Sequence, residues 1–117
     1  MNHKVLGAEG EKMAVAYLAT RGYRIRERNF RCRLGEIDVI AEEGGTLVFI
    51  EVKTRRSRRF GLPQEAVTPA KQARLRRLAE YYFLTHGGAD RPCRFDVLGI
   101  TIGPDGKARM DLIRGAF

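Results

Sequence analysis

The sequence predicts an α/β fold in which a mixed, mainly antiparallel sheet is covered by two helices. Three observations carry this prediction. Two stretches, one near each third of the chain, have helical spacing with start or stop signals. A Gly44-Gly45 pair joins two runs rich in Val, Ile and Phe, as a hairpin would. Two further β-prone runs follow the second helix, which gives the order α-β-β-β-α-β-β. With 117 residues, 44% of them hydrophobic, there is material for one core, so residues 1–117 read as a single domain.

The first helix is expected from about Leu6 to Arg21, stopped by Gly22. Gly7, Gly10, Glu11, Ala14 and Leu18 share one face of it. Ala14 and Leu18 belong in a core, so Glu11 is carried inward with them, an unusual place for a carboxylate. Tyr23 to Phe30 alternates apolar and basic residues and reads as a strand with Arg24, Arg26 and Arg28 on one face. Gly35 to Glu42 and Thr46 to Thr54 are the next two strands, and residues 55 to 66 read as a polar, basic loop. Thr68-Pro69 then opens a helix, with Thr as N-cap and Pro in the first turn. It runs to about His86 and stops at Gly87-Gly88, with Leu75, Leu78, Ala79 and Tyr82 as its buried stripe. Residues 93 to 102 form a strand, Pro104-Asp105-Gly106 a turn, and Ala108 to Ile113 a last strand.

The formal net charge is +8, supplied mainly by arginine. In a small domain this favours a polyanionic partner such as nucleic acid, and arginine's planar fork suits phosphate. Charge that merely keeps the protein soluble is the alternative. No apolar run is long enough to span a membrane, and the first residues lack the apolar stretch of a secretory signal, so a cytoplasmic protein without a membrane partner is expected. Cys32 and Cys93 lie far apart and suggest neither a zinc site nor a redox pair.

The hairpin brings carboxylates together. A two-residue Gly44-Gly45 turn pairs Glu43 with Thr46; continued, that register sets Asp38 opposite Glu51 and Glu36 opposite Lys53. Like charges so close repel, and Glu11 adds a third. A protonated acid or a shared cation would relieve them. Oxygen ligands without histidine suit Mg²⁺ or Mn²⁺. Lys53 follows Glu51 by two residues and projects from the same face, where an ammonium could orient water and stabilise charge at phosphorus. The plainer alternative is an open sheet face, with Asp38 and Glu51 in solvent and Glu36 with Lys53 as an ordinary cross-strand ion pair.

The run Gly35-Glu36-Ile37-Asp38-Val39-Ile40, followed by Val48-Phe49-Ile50-Glu51-Val52-Lys53-Thr54-Arg55, resembles the PD-(D/E)xK nucleases. More narrowly, the chain resembles the YraN (UPF0102) family, through Gly7-Ala8-Glu9-Gly10-Glu11, Gly61-Leu62-Pro63-Gln64-Glu65-Ala66-Val67, Lys71 and Phe95-Asp96-Val97. The resemblance implies a restriction-endonuclease-like αβββαβ core, akin to Holliday-junction resolvases. It implies a Mg²⁺- or Mn²⁺-dependent endonuclease acting on DNA, branched or junction DNA included, and it allows a homodimer. Asp38 and Glu51 match the metal-binding acids, Lys53 the catalytic lysine and Glu11 the helical acid of resolvase-like members. The backbone carbonyl of Val52 would be a further ligand. Ile37 stands where the superfamily motif has proline.

Arg55, Arg56, Arg58 and Arg59 crowd just beyond this site and are expected to grip flanking phosphates. A solvated loop is the alternative. Lys71 and Gln72 are candidates to reach the site from the second helix. Asp96, among apolar residues, reads as a structural partner of an arginine rather than a ligand. The competing functional reading is a nucleic-acid-binding module with the same fold and little or no cleavage.

Overall fold

The computed structural model describes residues 3–56, 61–88 and 90–117, with side chains from residue 9 onward. The elements are α1 (His3–Thr20), β1 (Arg24–Cys32), β2 (Gly35–Glu43), β3 (Thr46–Arg55), a single 3-10 turn (Pro63–Ala66), α2 (Pro69–His86), β4 (Cys93–Ile102) and β5 (Ala108–Ile113). This contains the expected αβββαβ order. The five strands lie in the order β1-β2-β3-β4-β5. Only β3 and β4 are parallel, because the α2 crossover separates them; the other pairs are antiparallel.

Local chemistry sets most boundaries. Gly22 adopts φ 89° and the Tyr23 N–H donates to the Leu18 carbonyl, which ends α1. Thr68 Oγ1 accepts from the Lys71 N–H at 3.2 Å and Pro69 takes the first turn, which starts α2. Gly44 and Gly45 have φ 54° and 86°, the left-handed pair that a tight hairpin needs, and Glu43 pairs with Thr46 as expected. Several boundaries differ from expectation; the end of α1, the start of β1 and the end of β2 shift by a residue, and three others matter more. The first helix begins at His3 rather than Leu6, β1 runs on to Cys32, and β3 runs on to Arg55 because β4 pairs with it as far as Arg55↔Thr101. The 55–66 segment is thus not all loop, since its last four residues form the 3-10 turn.

Each face of the sheet has its own core. On the α1 face Ala14 and Leu18 pack with Tyr23, Val39, Ala41, Val48, Ile50, Leu98 and Ile100. On the α2 face Leu75, Leu78, Ala79 and Tyr82 pack with Ile37, Ile40, Leu47, Phe49, Phe95 and Val97. Strict alternation would put Ile37 and Ile40 on opposite faces. Both lie on the α2 side, so β2 turns over between them. The partner strand shows the cause: Asn29, opposite this point, is the sole non-glycine among the described residues with a positive φ, 53°. A bulge lies between Ile25 and Glu27 on the same strand. Among the described residues no helix is long and apolar enough to cross a membrane, and both cysteines are free thiols.

Candidate active site

The site forms where β2 and β3 stop pairing. Their ladder runs from Glu43↔Thr46 to Val39↔Ile50 and ends one pair before Asp38 and Glu51. Beyond it the Val52 N–H, still directed at β2, donates to Asp38 Oδ2 at 2.8 Å instead of to a backbone carbonyl. The strands therefore part, and a pocket of about 220 Å³ opens, lined by Glu36, Asp38, Glu51, Lys71, Arg74 and Leu75. Asp38 sits at the point where β2 turns over, so groups from both faces reach it.

Glu11, Glu36 and Asp38 each offer a carboxylate oxygen, and these oxygens lie within 4.8 Å of one another. Glu11 is held by Asn29, whose Nδ2 donates to Glu11 Oε2 at 2.9 Å. The left-handed backbone of Asn29 thus aims its amide at the helical acid, and its Oδ1 is buried without a partner. The Asp38 carboxyl is pushed up to about 7, first by burial and then by the charge of Glu51; the Val52 N–H works against this, and Glu36 and Glu11 add to it.

Glu51 is buried and faces α2, where its Oε1 takes Lys71 Nζ at 2.6 Å and Lys53 Nζ at 3.6 Å. Burial, and then the neighbouring Lys71, hold the Lys53 ammonium below its ordinary pKa. Burial is the largest single influence on the Lys71 ammonium and works against it, but the hydrogen bonds to Glu51 and Lys53 and the charges of Glu51 and Asp38 together raise it. Two ammonium groups therefore stand on Glu51 beside the other three acids, and they differ in how firmly they hold their protons.

The structure brings Glu11, Asp38, Glu51, Lys53 and Lys71 to one place, but in an arrangement unlike the expected register. Glu36 was expected opposite Lys53; its ion pair is instead with Arg31 at 3.3 Å, and its carboxylate joins Glu11 and Asp38. The signal was available, because Glu36 and Asp38 are two apart on one strand and so share a face. Asn29 was not foreseen, since nothing in alternating residues announces a left-handed backbone. Nor was Arg74, which lines the pocket. Arg55 is not a loop residue but the end of β3, half-buried, with Nε and Nη2 lacking a hydrogen-bond partner. Arg56 is exposed, beside a second groove lined in part by Glu9, Met13 and Ile102. Arg58 and Arg59 lie outside the described residues. Gln72 turns away from the pocket acids: its Nε2 donates to the Val67 carbonyl at 3.1 Å.

All the grouped ligands are oxygens, and Asp38 resists ionisation while they crowd it. This donor set fits a hard divalent cation, which would relieve that crowding. Gly10 sets how closely α1 brings Glu11 to it, since a Cβ there would collide with Thr54 Oγ1 on β3. Gly10→Ala should therefore push α1 outward and carry Glu11 away. We expect about 1–3 kcal/mol of lost stability and weaker Mn²⁺ binding, read by thermal melts and by Mn²⁺ titration. Unchanged Mn²⁺ affinity would remove Glu11 from the site.

Comparison with known proteins finds relatives of this chain along nearly its whole length. A UPF0102 protein of Symbiobacterium thermophilum is 56% identical over 112 residues, covering 96% of this chain and 95% of its own. One from Moorella thermoacetica is 51% identical over 118 residues, covering 100% and 98%. Among solved structures, a repair endonuclease from Pyrococcus abyssi aligns with a TM-score of 0.48 and 17% identity, over 84% of this chain and 39% of that one. Residues 10–100 match the profile described as uncharacterised protein family UPF0102. With the segment from Gly10 to the Ile100 strand inside that profile, and about half of all positions shared with full-length relatives, the chain belongs to the UPF0102 family.

Proposed function

We propose that this protein is a divalent-metal-dependent nuclease that hydrolyses phosphodiester bonds in DNA, with Mg²⁺ or Mn²⁺ held in the pocket between β2 and β3. The observation that carries this reading is the convergence of Glu11, Glu36 and Asp38 within 4.8 Å beside the Lys53 and Lys71 ammonium groups. A pure binding surface has no use for clustered, partly buried acids, which repel the phosphates it must attract.

In this reading Glu11, Glu36 and Asp38 hold the ion, with Glu51 and the Val52 carbonyl as adjacent donors. When bound, the cation polarises a phosphoryl oxygen and makes water more acidic. The protein's own groups do the rest. Asp38, fixed through Oδ2 by the Val52 N–H, keeps Oδ1 for the ion or for a proton. Glu51 positions both lysines. Lys71 stays protonated against Glu51 and presents fixed positive charge to the phosphate. Lys53, the weaker holder of its proton, can orient the attacking water or protonate the leaving oxygen. The +8 charge supplies the sequence-independent attraction to a polyanion.

The test uses purified protein with Mg²⁺ or Mn²⁺ and plasmid, single-stranded, flapped and four-way-junction DNA. Cleavage dependent on the metal supports the reading. Binding with no cleavage of any substrate would replace it with the binding-module alternative. The two lysines should separate. Lys53→Ala should lower single-turnover cleavage about 100-fold or more while leaving DNA affinity nearly unchanged. Lys71→Ala should weaken both, because it releases Glu51 as well as removing a charge. Equal behaviour of the two variants would refute the division of labour.

A further inference from the structure

The arginines of this protein fall into two populations. At the hairpin end of the sheet they are ion-paired. Glu42 takes Arg24, Arg26 and Arg91, at 2.5, 2.6 and 2.6 Å. Glu43 takes Arg94 and Arg114 at 2.7 and 2.9 Å. The first of these arginines and its companions hold the Glu42 carboxyl down to about 2. Each of these five guanidinium groups is already engaged by a carboxylate, so none can take a phosphate without giving up an ion pair.

The pocket end is different. Arg33 sits at the tip of the two-residue β1–β2 turn and is exposed. Arg74 lines the pocket, and its aliphatic stem lies over Gly35, with Cδ 3.5 Å from where a Cβ would stand. Gly35 has φ 136° and immediately follows the turn, so Arg74 and Arg33 flank the same corner of the sheet. Arg77 is one helical turn beyond Arg74 on the same exposed flank of α2. None of these three is ion-paired among the described residues. Three free guanidinium groups thus lead outward from the acid pocket, over the β1–β2 turn and along α2.

We propose that the nucleic-acid backbone crosses the β1–β2 turn beside the pocket, with Arg74, Arg33 and Arg77 holding successive phosphates. This rests on the nuclease reading, and it places the substrate track on the α2 side rather than on the strand that follows Lys53. Arg74 belongs to both the pocket and the track, so it would hold the phosphate next to the one being cut. Contacts of this kind position the strand without reading its sequence.

The test is equilibrium binding of fluorescein-labelled duplex and single-stranded DNA to the full chain in EDTA, across a salt series. The triple variant R33Q/R74Q/R77Q is compared with R24Q/R26Q/R114Q, which removes the same charge from the hairpin end. The second set leaves Arg91 on Glu42 and Arg94 on Glu43, so no carboxylate is stranded. The expected result is a Kd raised about 30-fold or more for the first set, with a log–log salt slope shallower by about 2–3. The second set should change Kd less than about threefold. Equal losses from both sets would overturn the track while leaving the nuclease reading standing. No binding by the wild-type protein would overturn both. Melting temperatures within about 3 °C of wild type show that either set is folded, because every substituted side chain lies at the surface.

Discussion

Asp38→Asn should abolish metal-dependent cleavage and yet make the metal-free protein more stable. Both effects come from one carboxylate. The raised Asp38 pKa, about 7 against 3.8, means that the folded state binds its proton more tightly than the unfolded chain. A group raised in this way gives stability that is complete below its unfolded pKa and is lost as pH rises through the folded one. The pH window is therefore about 4 to 7, and above it the charged, crowded Asp38 costs at most about 4 kcal/mol. Asparagine keeps the shape and can still accept from the Val52 N–H. In EDTA the variant should melt higher than wild type, and the gap should widen by about 2–3 kcal/mol between pH 5 and pH 8, roughly 10 °C. Added Mg²⁺ or Mn²⁺ should close the gap by stabilising the wild type alone. Cleavage should fall by about 1,000-fold or more, since the ion loses its central ligand. A variant that melts lower at pH 8 would show that Asp38 is held by attraction, not repulsion, and would remove the physical basis for a cation in the pocket.

How much of this was legible in the sequence follows from the range of the forces involved. The C-terminal end of α1 and both ends of α2 were legible because Gly22, Thr68, Pro69 and Gly87 act within a turn of themselves. The β2–β3 register was legible because Gly44-Gly45 fixes it at the hairpin. Glu11 was legible as inward-facing because helical spacing ties it to Ala14 and Leu18. Errors began where a distant partner decides. The ladder was extrapolated to Asp38 and Glu51, but it ends at Val39↔Ile50, because Asn29 on β1 turns left-handed and β2 turns over beside it. Glu36 was thereby given to Lys53 rather than to the acid group. Arg55 was read as loop, yet β4, about 40 residues onward, recruits it into the sheet. The same long-range pairing is why the contrast between ion-paired and unpaired arginines is invisible in composition: +8 states the sum and not which guanidinium groups the carboxylates hold.

Asp96→Ala should be the most damaging single substitution outside the pocket. Asp96 is fully buried in β4, where an isolated charge would be prohibitive. It is not isolated. Its Oδ1 accepts from Arg94 Nε at 2.8 Å and the Gly115 N–H at 2.9 Å, and its Oδ2 from the Tyr23 hydroxyl at 2.7 Å and Arg94 Nη2 at 3.1 Å. Burial, and then the Asp96 hydrogen bond, push the Tyr23 phenol up to about 12, so it remains a donor at any physiological pH. Arg94 goes on to Glu43 at 2.7 Å, tying β4 to the hairpin end of β2, and Gly115 ties in the C-terminal segment. Removing Asp96 takes the acceptor from the buried Tyr23 hydroxyl, from Arg94 Nε and from the Gly115 N–H, while Arg94 keeps only Glu43 as its carboxylate. The expected cost is about 3–5 kcal/mol, a large share of the roughly 5–15 kcal/mol that holds such a domain. Urea titration should show it as a shifted midpoint with an unchanged slope. A loss below about 1 kcal/mol would mean that water already solvates the cluster. Asp96 pairs with Ile50, next to Glu51, but its hydrogen bonds run to Tyr23, Arg94 and Gly115 and to none of the pocket residues, so molecules of the variant that remain folded at low temperature should bind Mn²⁺ as the wild type does. Stability and site chemistry are thus carried by separate sets of acids, with Glu42, Glu43 and Asp96 using charge to hold arginines, and Glu11, Glu36 and Asp38 left without enough of them.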